Sequence, residues 1–244
     1  MFVLAHLLVG VLIGVLLYLW RRERWLILAA AVGSVLPDLI DKPLGHILLA
    51  GTVNFGRIYF HSLIFLLAFF ILGYLVWWKY RSFIGFAVAL GVLSHQALDL
   101  MWAEYWNWLW PFFGPFRGDS IENFFQYGLI EEITNPSEWL AAIVILGIIL
   151  GIAKIGSPDD PSIVPAGISA WSRDHPLITG IIFGTVIVLL SITGVFALYC
   201  GVYGIPCLLT GFDNPADNFV MAGIMLSGAV ILGWIDLRKD TGEG

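Results

Sequence analysis

Long apolar runs separated by short polar breaks set the pattern of the chain. Mainly apolar stretches fall at about 2–20, 25–41, 60–78, 83–103, 138–153, 177–199 and 219–236, each 16 to 23 residues long. That length is close to the roughly 20 apolar residues a helix needs to cross a bilayer, so the pattern predicts seven transmembrane helices. The second run is the weakest, because Pro37, Asp38 and Asp41 shorten its apolar part. Between the runs lie 21–24, 42–59, the short turn 79–82, a long segment 104–137, a Pro/Ser/Asp-rich linker 154–176, and 200–218.

The 104–137 segment opens with Trp106, Trp108, Trp110, Phe112 and Phe113, amphipathic rings of the kind that settle at headgroup depth. It continues into Asp119-Ser120-Ile121-Glu122, a helix start with Asp119 as cap and Glu122 three residues on. Ile121, Phe124, Phe125 and Leu129 then share one face, which predicts an amphipathic helix near 119–133 lying on the membrane surface, as anchor or as lid.

Composition strengthens the membrane reading. The 244 residues are 59% hydrophobic and 12% charged, about half the charge of an ordinary soluble domain. A net charge of -6 leaves no basic patch to neutralise phosphates, which argues against nucleic acid as a partner. Basic residues follow the first apolar run as Arg21, Arg22 and Arg24 rather than preceding it, so 2–20 reads as a retained helix, not an export signal. The two cysteines, Cys200 and Cys207, permit at most one bridge.

Orientation follows from Lys and Arg, which favour cytoplasmic loops. With the N-terminus outside, the inner side holds Arg21, Arg22, Arg24, Lys79, Arg81, Lys154, Arg173, Arg238 and Lys239, and the outer side Lys42, Arg57 and Arg117. Nine against three predicts an all-α, N-out/C-in polytopic bundle of the cytoplasmic membrane. Residues 1–156 form its main domain, 157–176 a cytoplasmic linker, and 177–244 an accessory helix pair without an intramembrane histidine.

Against this background the ionisable residues in or beside the runs stand out, because burying them in hydrocarbon without a partner costs several kcal/mol. His6 lies near the outer end of the first run, Asp38 and Asp41 close the second, His61 opens the third, and His95 with Asp99 ends the fourth. The four-residue spacing of His95 and Asp99 stacks them on one helical face. All six reach the same predicted membrane side, although orientation rests on Lys and Arg alone. Histidines with carboxylates suit Zn, or Mn or Fe, and up to six ligands leave room for one to three ions. Such ions activate water and polarise phosphoryl oxygens, which makes the site hydrolytic; Asp41, His95 and Asp99 are its candidate catalytic residues. Taken singly, each has a blander account: His6 as an interfacial histidine, Asp38 and Asp41 as the end of a span, His61 with Ser62 as a helix start. Lys42, Arg57 and Arg117 are the candidate clamp for a phosphoester, or ordinary interface anchors. His46 reads as a solvated loop residue, His175 falls on the opposite side, and Glu131 and Glu132 read as surface carboxylates. Residues 213–218 read as an Asx-capped turn.

In these residues the chain resembles the YdjM-like family of membrane-bound, metal-dependent hydrolases. The matching pieces are Ala5-His6 with Gly10 and Gly14, Gly33-Ser34-Val35-Leu36-Pro37-Asp38-Leu39-Ile40-Asp41-Lys42-Pro43, Phe60-His61-Ser62-Leu63, Gly91 to Asp99, and Leu109-Trp110-Pro111. Where the family carries Asp-x-Asp-His after the proline, this chain has Asp38-x-x-Asp41; Arg57 fits the family's arginine before the His-Ser pair. More distantly, the His95-x-x-x-Asp99 element is similar to that of zinc-dependent phospholipase C and P1-type nucleases. The resemblance implies metal-dependent hydrolysis and suggests a phosphoester substrate; with the site at the outer membrane surface, the leading expectation is a hydrolase of a lipid-like or amphiphilic phosphoester. The rival expectations are a proton or metal-ion transporter using the same His/Asp set, and a metal-stabilised membrane scaffold.

Overall fold

The computed structural model describes residues 3–118, 123–155, 166–210 and 214–240. It is all-helical, 77% helix, with no strand among the described residues. In chain order the helices are α1 (Val3–Arg21), α2 (Trp25–Pro43), a single π-helical turn (Leu44–Leu48), α3 (Leu63–Tyr80), α4 (Ile84–Leu98), α5 (Tyr105–Trp108), α6 (Phe124–Thr134), α7 (Pro136–Ile155), α8 (Ala166–Asp174), α9 (Pro176–Tyr203) and α10 (Pro215–Asp240). Each of the seven apolar runs folds largely as one helix. Length and hydropathy qualify four as spans: α1, α3, α9 and the Pro215–Trp234 part of α10. Ile84–Leu98 and Pro136–Leu150 are shorter apolar helices.

Two compact units result, Met1–Ile133 and Thr134–Gly244. In the first, α2 packs on α1 and α4, and α4 also packs on α3 and α1. Arg22 and Arg81, both in the left-handed region with φ 60° and 55°, end α1 and α3 and turn the chain into α2 and α4. The Arg21 guanidinium lies 4.3 Å from the Phe83 ring centroid, so these two basic turns sit side by side at one end of the bundle. Leu26, Ala29, Ala30 and Ala87 fill its middle, backed by Ile13, Leu17, Phe83 and Val88. The opposite end receives the start of α1, the ends of α2 and α4, and the start of α3.

Small residues set the spacing of α2 and α4. A Cβ on Gly91 would stand 2.3 Å from the Ala30 carbonyl oxygen, and one on Gly33 would stand 2.2 Å from that of Val88. Such close approach is the usual way helices pack where hydrocarbon removes the hydrophobic driving force. On α3, Ile64, Leu67, Ile71, Leu72, Leu75 and Trp78 are exposed, as lipid-facing side chains must be.

In the second unit α9 pairs with α10 and with α7. Gly204, at φ 63°, ends α9, and Ala197, Cys200, Cys207 and Ala222 form a buried cluster in which both cysteines are free thiols.

Three elements differ from the sequence expectation. The fourth run stops as α-helix at Leu98, with Asp99 as its cap, because Leu100 turns left-handed at φ 51°. The linker contains α8: prolines at 158, 161, 165 and 176 all lie outside 166–174, which leaves that stretch free to coil. The surface helix begins at Phe124, after a left-handed Asn123 (φ 54°); its expected cap, Asp119, lies outside the described residues. On α6, Tyr127, Leu129, Ile130 and Ile133 are exposed, as is Glu131.

Candidate metal centre

Pro37 sits inside α2. It has no N–H for the Gly33 carbonyl, and one residue on, the Ser34 carbonyl accepts from a neighbouring helix: His95 Nδ1 lies 2.7 Å from Ser34 O. A carbonyl can only accept, so Nδ1 carries the proton and the Nε2 lone pair points the other way. His61, in the turn before α3, is fixed in the same sense. Its Nδ1 stands 2.7 Å from Asp41 Oδ2, which also accepts the backbone N–H groups of Ile58 and His61 at 3.1 Å each.

These two anchors aim the histidines at each other. His61 Nε2 and His95 Nε2 are 3.1 Å apart, and both residues are fully buried. Asp38 Oδ1 is 3.5 Å from the first and 3.6 Å from the second, while Asp99 Oδ2 is 3.6 and 3.9 Å away. One ligand atom from each of Asp38, His61, His95 and Asp99 thus lies within 4.8 Å of all the others. A tetrahedral set of N and O donors with bonds of about 2.0–2.2 Å has edges of about 3.3–3.6 Å, and most of the separations fall close to that. Two further facts fit a cation here. Two nitrogen lone pairs facing at 3.1 Å repel unless a proton or metal lies between them, and Asp38 Oδ1 is buried with no hydrogen-bond donor among the described residues. The group can hold a metal ion.

Around these four stands a layer of partners. Lys42 Nζ pairs with Asp38 Oδ2, both buried. His6 Nε2 is 3.2 Å from Asp99 Oδ1, and its ring centroid is 4.3 Å from that of His95. Arg57 Nε is 3.0 Å from Asp99 Oδ2, and Arg57 Nη1 pairs with Glu104 Oε1. Burial alone would lower the Arg57 pKa, but the carboxylates of Asp99 and Glu104 outweigh it and raise it. Of the six residues singled out as ligands, four supply the converging atoms; His6 touches them through Asp99 and His95, and Asp41 through His61. Of the three candidate phosphate cations, Lys42 and Arg57 each grip one of the group's carboxylates. Arg117 is engaged elsewhere, its guanidinium 3.6 Å from the Trp106 ring centroid and its backbone N–H and carbonyl bonded to the Asn107 amide.

His46 lies outside the group, its ring stacked on Phe124 with centroids 3.7 Å apart and bonded to Asn54 Oδ1 at 3.2 Å. Burial lowers its pKa. His175 is exposed at the start of α9, and Glu131 is exposed on α6; the Glu132 side chain lies outside the described residues, as does Asp213 of the 213–218 turn.

Sequence reading passed over three contributors. Glu104 stands in an aromatic stretch that reads as interface. Gln96 donates to the Phe60 and Ser62 carbonyls and accepts from Trp108 Nε1, tying α4 to the turn that carries His61; a glutamine in an apolar helix was the available signal. The Ser34 carbonyl has no side-chain signature at all.

A family model described as YdjM inner membrane protein matches residues 1–159, a segment that contains every residue of the group and its partners. No curated protein and no solved structure shows significant similarity to the chain.

Proposed function

The chain belongs to the YdjM inner membrane protein family, and from that footing we propose that it is a metal-dependent hydrolase acting on an amphiphilic phosphoester at the membrane. The observation that carries the reading is the pair of Nε2 atoms 3.1 Å apart, each with its proton committed on the far nitrogen. One divalent ion, Zn by donor set with Mn or Fe as alternatives, would be held by Asp38, His61, His95 and Asp99. When bound it would supply Lewis acidity toward a phosphoryl oxygen and a water acidic enough to attack near neutral pH.

The chain's own residues do the rest. Asp41 and the Ser34 carbonyl hold both imidazoles in one tautomer and orientation, the usual task of partners behind metal-binding histidines. Lys42 offsets the charge of Asp38. Arg57, half-exposed at the rim, is placed to receive the phosphate and to stabilise charge that builds in the transition state. His6 lines the cleft beside the group and directs its Nε2–H at Asp99 Oδ1, which would hold that carboxylate in orientation toward the ion. Within the first unit, Arg21, Arg22, Arg24, Lys79 and Arg81 cluster at the ends of α1 and α3 and the start of α2, away from the site, and such an excess of basic residues favours the cytoplasmic side, which supports a site facing outward.

A transport role would need ionisable groups continuing through the bundle. The middle is instead Leu26, Ala29, Ala30 and Ala87, which favours hydrolysis. Elemental analysis of detergent-purified protein tests the proposal. We expect about one transition-metal ion per chain, lost in His95→Ala with the helical circular dichroism retained. Metal-free wild type, or full metal content in His95→Ala, would overturn it.

A further inference from the structure

A partly open cleft of about 280 Å³ runs from the metal group to the outside between α1 and α2. It is lined by His6, Asp38, Lys42 and His95 of the metal group and its partners, and by Val3, Val35, Leu39 and Pro43. The surface the cleft offers is almost wholly apolar, although four of its eight lining residues belong to the metal group or touch it.

The mouth faces lipid. Leu39, on its wall, is 68% exposed, and Leu28 and Val32 on the same helix are exposed as well. Positions 28, 32 and 39 are separated by four and seven residues and so form one stripe, the bilayer-facing side of α2. An occupant entering over Leu39 comes from the membrane rather than from the loops. The volume lies just below the range of pockets that enclose a whole small ligand, about 300–1,000 Å³, and suits a segment of chain.

Charge separates two steps of binding. Among the described residues, the carboxylates of Asp38, Asp41, Asp99 and Glu104 outnumber the fixed cations beside them, Lys42 and Arg57, so the site favours a divalent ion over a lone anion. An anionic headgroup is disfavoured there before the ion enters, whereas an alkyl chain against Val3, Val35 and Leu39 is not.

We infer that this cleft is a lateral alkyl-chain site, loaded from the bilayer, that presents the headgroup of a membrane amphiphile to the metal group. The inference rests on the hydrolase reading for its purpose but not for its chain contacts, which need no metal.

Photolabelling of the full chain tests it. The protein is placed in phosphatidylcholine vesicles containing a minor fraction of phosphatidylglycerol with a diazirine in one acyl chain, irradiated, and mapped by peptide mass spectrometry, with metal content measured on the same samples. Labelling should concentrate on peptides containing Val3, Val35 or Leu39, above the level on the exposed α3 residues Leu67 and Leu72, and should persist in EDTA. Val35→Trp, which fills the cleft, should cut this labelling several-fold while labelling of α3 stays constant. Leu39→Trp, on the exposed rim where folding is not at issue, should do the same by closing the mouth. Equal labelling of α2 and α3, or no effect of either variant, would reduce the site to ordinary surrounding lipid and overturn the inference. Cross-links to a second copy of the chain instead of lipid would also overturn it. Metal-replete protein without cleft labelling removes the chain site and leaves the hydrolase reading standing; labelled protein without metal does the reverse.

Discussion

A single oxygen, Asp41 Oδ2, accepts three N–H groups: those of Ile58 and His61 in the backbone and the His61 imidazole. It thereby decides both the fold of the turn before α3 and the direction of the His61 lone pair. Asp41→Asn keeps the shape but loses the charge that holds His61 Nδ1–H. Metal affinity should fall about 10- to 100-fold, measurable by competition with a chromophoric chelator, with helical content unchanged. Arg57 bears on substrate instead. Arg57→Ala should leave metal content intact while raising KM roughly 10- to 100-fold, the equivalent of about 1.5–3 kcal/mol for hydrogen bonds to a charged group; unchanged KM would remove Arg57 from the clamp. Because the Arg57 pKa is raised, its ion pairs are fully formed below the usual guanidinium range and are lost only above it. This residue should therefore add no pH dependence between roughly pH 5 and 9. Of these roles, the presence of His61, Asp41 and Arg57 near a site was legible in the sequence, because ionisable groups beside apolar runs demand an explanation. Which of them face the ion and which stand behind was not, because that depends on contacts across 17 to 47 residues of chain.

Helix packing decides where these residues meet. His95 meets Ser34 O only because α2 and α4 approach through Gly33 and Gly91. Gly91→Val should push them apart at a cost of about 1–3 kcal/mol from overpacking, lowering the detergent unfolding temperature and weakening metal binding together. Gly223→Ala, on α10 where a Cβ meets nothing within 4 Å, should instead be neutral or stabilising by up to about 1 kcal/mol. Equal behaviour of the two would remove the close-packing account. Apolar periodicity was sufficient to place α1, α3, α9 and α10, since a long run without charge has few other fates. It could not anticipate that α2 continues through Pro37 or that α4 ends at Leu98, because both are decided by neighbours and by the left-handed Leu100.

At the scale of the whole molecule, an ion joining α2, the turn before α3 and the end of α4 should stabilise the folded chain by mass action, about 4 kcal/mol at a thousandfold excess over Kd. EDTA should therefore lower the unfolding temperature and Zn restore it; an unfolding curve indifferent to both would argue against a bound ion. Orientation is open to a separate check. Reporter fusions after residue 240 should be active as a fluorescent protein and inactive as a periplasmic phosphatase, and the reverse would turn the proposed site inward. The membrane character, the helical class and the family resemblance followed from the sequence alone, because hydrocarbon tolerates little besides long apolar helices and makes each buried charge conspicuous. Tertiary structure alone decided that four of six candidate ligands converge, that His6 and Asp41 support them, and that an apolar cleft reaches them from the bilayer side of α2. Those facts depend on helix contacts and hydrogen-bond directions between residues far apart in the chain, which no local pattern of residues encodes.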